Sequence, residues 1–130
     1  MQHIPSLLLR LSAVALTVSG SLFAQHQLQY LSADPPAVGG SFGFRVEMEG
    51  DYAAAQHRAT GNIRQVYMYR RTPVRLELEQ IIDAPPGSSD FGQRIALDGT
   101  TLVVGDSGAA GRGRVYVYER NGGQWTLDAT

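Results

Sequence analysis

The stretch FGQRIALDGTTLVVGDSGAAGRGRVYVYERNGGQW, Phe91 to Trp125, decides the fold. It opens on an aromatic-glycine pair, continues through two short apolar runs, and reaches Val115-Tyr116-Val117-Tyr118 between glycine-rich breaks. Asp98-Gly99 and Asn121-Gly122-Gly123 supply the positive φ that tight turns between antiparallel strands require. Four short strands are therefore expected, at Phe91–Leu97, Thr101–Gly105, Arg114–Glu119 and Gln124–Asp128. Side chains alternate along a strand, so the valines of the third share one face and the tyrosines the other. Both faces are then half apolar, the pattern of a sheet packed between neighbouring sheets.

Working outward, a slide of 49 residues sets Phe42-Gly43 on Phe91-Gly92 and needs no gap over the next 40 positions. Arg45 meets Arg94, Gly50 meets Gly99, Val66-Tyr67 meets Val115-Tyr116, Tyr69 meets Tyr118, Arg71 meets Arg120 and Leu78 meets Leu127. The matches fall on expected strands and lapse in the loop between, Gln56 to Arg64 against Gly105 to Gly113. Four-stranded units stacked at such a period describe propeller blades. The first copy has YAAAQHRATGN where the second has TLVVGDSGAAG, so looser packing is expected there. Upstream, Gln27 to Leu31 before Asp34-Pro35-Pro36 repeats Leu76 to Ile82 before Ala84-Pro85-Pro86 with a one-residue offset, suggesting the outer strand of a preceding blade.

Ser6 to Ala24 joins a Leu-rich stretch to an apolar run and small residues. It reads as a secretory signal peptide cleaved after Ala24, although Arg10 sits inside the run; an uncleaved anchor is the alternative. The chain divides into 1–24, the signal segment, and 25–130. The mature part holds ten Arg and twelve acidic residues, with no Lys and no Cys. Phosphate binding calls for a clustered basic face, so no nucleic-acid partner is expected. Disulfides and thiolate metal sites are excluded.

At Phe91-Gly92, Leu102-Val103-Val104-Gly105, Gly113 to Tyr118 and Trp125 the chain resembles the FG-GAP repeat of integrin-α-like β-propellers, especially the secreted bacterial type. The resemblance covers Gln27 to Thr130 and is stronger in the second copy. It implies an all-β fold of about two four-stranded antiparallel blades, an incomplete propeller, at about 42–82 and 91–130, with a stray strand at about 27–32. Closed propellers have about four to eight blades. The ending Trp125 to Thr130 stops midway through what the first copy continues as Leu78 to Asp83, so a fragment of a longer propeller is expected. The Ala-Pro that follows the strand-ending glycine in this family is absent from both copies.

Many repeats of the family carry a calcium loop, D-x-D-x-D-G, whose oxygens converge on one hard cation. The corresponding turn, Leu97 to Thr100, has a single carboxylate. Asp98 and Asp106 are the calcium candidates; no catalytic residue, cofactor or metal site is assigned. The Gly-Asp-Ser-Gly run at Gly105 to Gly108 precedes a strand, not the helix a phosphate loop needs. In the mature part Ser107 has only His26, near the terminus, and His57, in the degenerate loop, as histidines to serve it. Loop histidine His57 is expected to be exposed, and the loop Asp83 to Asp90 to be a proline-glycine turn with Asp90 capping or solvated. Tyr67, Tyr69, Tyr116 and Tyr118 are expected in the inter-blade core. Arg45 and Arg94, repeated at one place, are expected to pair with carboxylates.

The resemblance, together with the signal segment, implies a non-enzymatic exported repeat module for protein binding, adhesion or cell-surface architecture: secreted, periplasmic or at the cell surface, and free of the membrane once the signal is cleaved. The partner expected is a protein or a second copy, through exposed blade faces. The alternatives are part of a propeller-based hydrolase or lyase whose catalytic residues lie elsewhere, and a non-functional remnant of a longer gene.

Overall fold

The computed structural model describes residues 29–36 and 38–130; the signal segment, His26 and the first two residues of the stray strand lie outside them. Among the described residues eight strands follow one another: β1 Ser41–Glu49, β2 Tyr52–Ala59, β3 Ile63–Arg71, β4 Leu76–Asp83, β5 Arg94–Asp98, β6 Thr101–Asp106, β7 Arg114–Asn121 and β8 Gln124–Ala129. They form two four-stranded antiparallel sheets, each ordered as in the sequence. Gly50 and Gly99 adopt positive φ in the first hairpin turns.

The 49-residue repeat is carried into the register. Val46 lies opposite Ala55 as Ile95 lies opposite Val104, and Tyr69 opposite Leu78 as Tyr118 opposite Leu127. Even the bulge recurs, between Met68 and Tyr69 in one sheet and Val117 and Tyr118 in the other.

The sheets stack by unlike faces. Ala54, Val66, Met68 and Ile82 of the first sheet close against Leu97, Leu102, Val104, Tyr116, Tyr118 and Trp125 of the second. Tyr67 and Tyr69 point the opposite way, where Ala33 and Leu31 cover them together with Ala53 and Ala55. Of the four repeated tyrosines, Tyr116 and Tyr118 therefore lie in the core between blades, and Tyr67 and Tyr69 in a second core beneath the N-terminal segment.

Three expectations are corrected. Phe91 is fully buried but lies in a turn, and the first strand of the second blade starts at Arg94. Gly92 makes that turn at φ +82°, and a Cβ there would stand 3.0 Å from the Gln56 side chain, so chain direction changes before pairing begins. In the first copy, β2 runs on through Ala59 where a loop is expected, and Ala53 to His57 are all buried. Gln29 to Ser32, the described part of the stray strand, has no strand pairing.

Val66 and Val115 occupy one repeat position, yet Val66 is fully buried and Val115 is 54% exposed. Val66→Ala is expected to cost about 2 kcal/mol from lost burial and the cavity left behind. Val115→Ala is expected to stay within about 0.5 kcal/mol. Urea denaturation of both variants checks the contrast, and equal losses would contradict the packing described.

Candidate functional site

Side chains that address backbone join the blades; Glu49, for one, accepts from the Gly99 N–H at 2.7 Å, and three further joints are built from several groups each. At the inner end, Gln56 Nε2 donates to the Phe91 carbonyl at 3.1 Å and Arg45 Nε to the Gln93 carbonyl at 3.0 Å. Arg45 thus grips the next blade's backbone, not a carboxylate. Arg94 reaches only the carbonyl of its neighbour Gln93, at 3.5 Å. Among the described residues neither arginine forms an ion pair.

At the outer end, the Gln80 amide bonds the Trp125 backbone twice: its oxygen accepts from the Trp125 N–H at 2.8 Å and its nitrogen donates to the carbonyl at 3.0 Å. Beside it, Glu79 accepts from Arg120 at 2.6 and 3.0 Å and from the Trp125 indole at 3.1 Å. Tyr52 packs edge-on against Trp125 and lies under the Arg120 guanidinium. The Arg120 hydrogen bonds hold the Glu79 carboxyl below its ordinary value, although burial opposes them.

One blade back, Gln29 does to Leu76 what Gln80 does to Trp125. The Leu76 N–H donates to its oxygen at 2.8 Å, and its nitrogen donates to the Leu76 carbonyl at 2.7 Å. Leu31 and Ala33 then pack beneath Tyr67 and Tyr69 as Ile82 and Ala84 pack in the central core. Without strand pairing, the segment still fills part of a preceding blade's place.

The third joint is Asp106, 1% exposed. Its carboxylate accepts from the Ser88 hydroxyl, the Asp90 N–H at 2.9 Å and the Gly108 N–H at 3.1 Å. Burial pushes its carboxyl up, but these bonds outweigh burial and leave it below the ordinary range. The loop Asp83 to Asp90 is thereby pinned to the glycine-rich loop; Gly87 turns it at φ +80° and the Ser88 N–H closes it on the Pro85 carbonyl. Asp90 faces Arg58 at 3.5 Å and accepts from Ser107 Oγ at 3.3 Å. Ser107 therefore meets a carboxylate and no histidine among the described residues.

The two calcium candidates are not brought together. Asp98 is exposed beside the Thr101 end of β6, and Asp106 closes the other end, about 17 Å away by strand rise. Asp106 is surrounded by hydrogen donors, a setting for an anion rather than a cation, and the described residues hold no group of three His, Cys, Asp or Glu suited to a metal. They do not fit the family's calcium loop.

His57 is buried, contrary to the exposed position expected, because β2 continues through it. Its Nδ1 meets Gln65 Oε1 at 2.9 Å, and the Gln65 amide nitrogen donates to Asp83 at 2.8 Å, which assigns the proton to Nδ1. Its ring packs edge-on to Tyr67. Burial, then the neighbouring tyrosine, pushes the hydroxyls of Tyr69 and Tyr118 up to about 12, so both are neutral core residues at ordinary pH. Gln29, Gln80 and Glu79 were not singled out from the sequence. Reciprocal bonding to backbone leaves no motif, although glutamine just before the prolines in both copies is a signal.

Two stacked, four-stranded antiparallel blades of one repeat define a β-propeller-type module without a closed barrel. The FG-GAP repeat family model matches residues 84–118, from the inter-blade loop through β5, β6 and the glycine-rich loop into β7. The chain therefore carries an FG-GAP repeat within its second blade. No curated protein and no solved structure matches it.

Asp106→Ala strands the N–H groups of Asp90 and Gly108 and the Ser88 hydroxyl, and is expected to cost about 2–3 kcal/mol. Hydrogen exchange at those amides should quicken while β2 and β3 stay protected; unchanged exchange would remove the pin from the account. Acid should act through Glu79 and Asp106 together. Both carboxyls are lowered on folding, so their contribution is complete above the ordinary carboxylate range and is lost as pH falls through their folded values. Glu79→Gln is expected to be less stable near neutrality and to lose less stability below about pH 4.5 than the parent chain, as thermal melts across pH would record.

Proposed function

We propose that the chain is a non-enzymatic, exported FG-GAP module that works by binding protein, in adhesion or cell-surface architecture. The observation that carries this reading is the division of labour on its surfaces. At the seam, Arg45, Glu79, Gln80 and Arg120 are engaged in joining blades, whereas Phe44, Val46, Met48 and Val115 stand more than half exposed on the two outer sides of the pair. Exposed apolar surface of this kind marks interaction sites. The repeat family supports a propeller-type binding module, and Ser6 to Ala24 supports export with release from the membrane. The mature acidic balance fits protein better than nucleic acid, and no metal or cofactor is assigned a role.

Expression of the full chain in an exporting bacterium tests the proposal. The product is expected outside the cytoplasm with an intact mass that begins at Gln25, and a full-length cytoplasmic product would end the export reading. A photo-crosslinking residue at Val115 is expected to capture protein; normal export without protein adducts would end the binding reading.

A further inference from the structure

The described residues contain one complete blade seam and, on either side of it, the separate halves of a second. The leading half is the tyrosine face of the first blade. There Val46 and Met48 are 66% and 61% exposed, whereas their repeat equivalents Ile95 and Leu97 are packed into the central seam, Leu97 being 7% exposed. An apolar cavity of about 420 Å³ opens on this face, among Leu31, Val46, Met48, Ala53, Tyr69 and Leu76. In the second blade the equivalents of the last four are Leu97, Leu102, Tyr118 and Trp125, which receive Ala54, Met68 and Tyr52 from the first blade.

The trailing half is the outer face of the second blade. Val103, Val115 and Val117 stand where Ala54, Val66 and Met68 stand in the first blade, and the strand register places them on one face. Arg94 stands where Arg45 stands, with no partner beyond Gln93 among the described residues, while Arg45 spans the seam to a backbone carbonyl. Charge follows the same logic. Glu79 and Arg120 form the ion pair across the central seam, and their repeat equivalents are Asp128 on the trailing blade and Arg71 on the leading one. Both are exposed and form no ion pair among the described residues.

We infer that copies of this chain associate head to tail, the trailing face of one seating on the leading face of the next in the geometry of the internal seam. Val103 and Val117 enter the apolar cavity beside Tyr69, Arg94 donates to a backbone carbonyl, and Asp128 meets Arg71 of the next copy. Leu31 and Ala33 already fill the places of Ile82 and Ala84 on the receiving face, so the incoming sheet needs to supply only the aliphatic side chains it carries. The two halves are different surfaces, hence the contact is heterologous and propagates until it closes. Closure at about four to eight blades corresponds to about two to four copies.

This inference rests on the protein-binding reading and names the partner within it. The test is sedimentation of the full mature chain alone, as Val115→Glu, as Met48→Glu, and as an equal mixture of the two variants. Both positions are exposed in the single chain, and circular dichroism verifies that each variant is folded. The parent chain is expected as one discrete species of about two to four copies at about 100 μM, a concentration well above micromolar affinity. Each variant alone is expected to be a monomer. The mixture is expected to give a dimer and nothing larger, because one intact trailing face and one intact leading face remain. A monomeric parent chain overturns the inference, and so does an assembly that Val115→Glu abolishes and Met48→Glu leaves intact, since that pattern marks a symmetric contact. A chain that stays monomeric while the Val115 crosslinker captures a different protein overturns self-association and leaves the binding reading standing.

Discussion

Everything in this molecule depends on packing unlike sheet faces together. Each blade offers tyrosines on one side and aliphatic side chains on the other, and the stack forms by setting the tyrosine face of the second blade on the aliphatic face of the first. Bulky rings supply area, and on the facing sheet they meet Ala54, Val66, Met68 and Ile82. A like-on-like arrangement would have closed the pair into a self-contained sandwich. The unlike arrangement gives the stack a direction and leaves two different ends.

Direction is fixed further by polar joints at the rim of the seam. Gln56 and Arg45 hold the inner end, Gln80 and the Glu79–Arg120 pair hold the outer end, and Asp106 fixes the connecting loop. Most of these groups meet backbone, and they satisfy N–H and carbonyl groups in turns and at strand ends that packing would otherwise strand away from water. The Gly-Asp-Ser-Gly loop has its Asp106 carboxylate consumed by the architecture. Its aspartate is a hub for donors, and its serine hydrogen-bonds another carboxylate.

Much of the fold was legible in the sequence, because its signals are local. Strand alternation, the Asp98-Gly99 and Asn121-Gly122 turns and the 49-residue repeat located the eight strands to within a few residues, apart from the start of β5 and the end of β2. Phe91 was misread as strand because an aromatic before glycine has the composition of a strand start, while the bend follows from the room that Gln56 leaves for Gly92. His57 was misread as exposed because the repeat alignment lapses where β2 outlasts β6. The candidate site was far less visible. Gln29 and Gln80 are 51 residues apart rather than 49, so the slide that reveals the repeat passes over them. Asp106 is recognised by its donors, and backbone N–H groups have no letter in a sequence.

The glutamine clamp has a consequence for how such proteins grow. Gln80 grips the N–H and carbonyl of Trp125, and Gln29 grips the same two groups of Leu76, so the joint is indifferent to whether an indole or an isobutyl group stands there. A connector that reads only main chain tolerates drift in the unit it holds. Duplicating a blade within a gene would carry the connector along with the sheet, and copies could then diverge in side chains without losing their grip on one another.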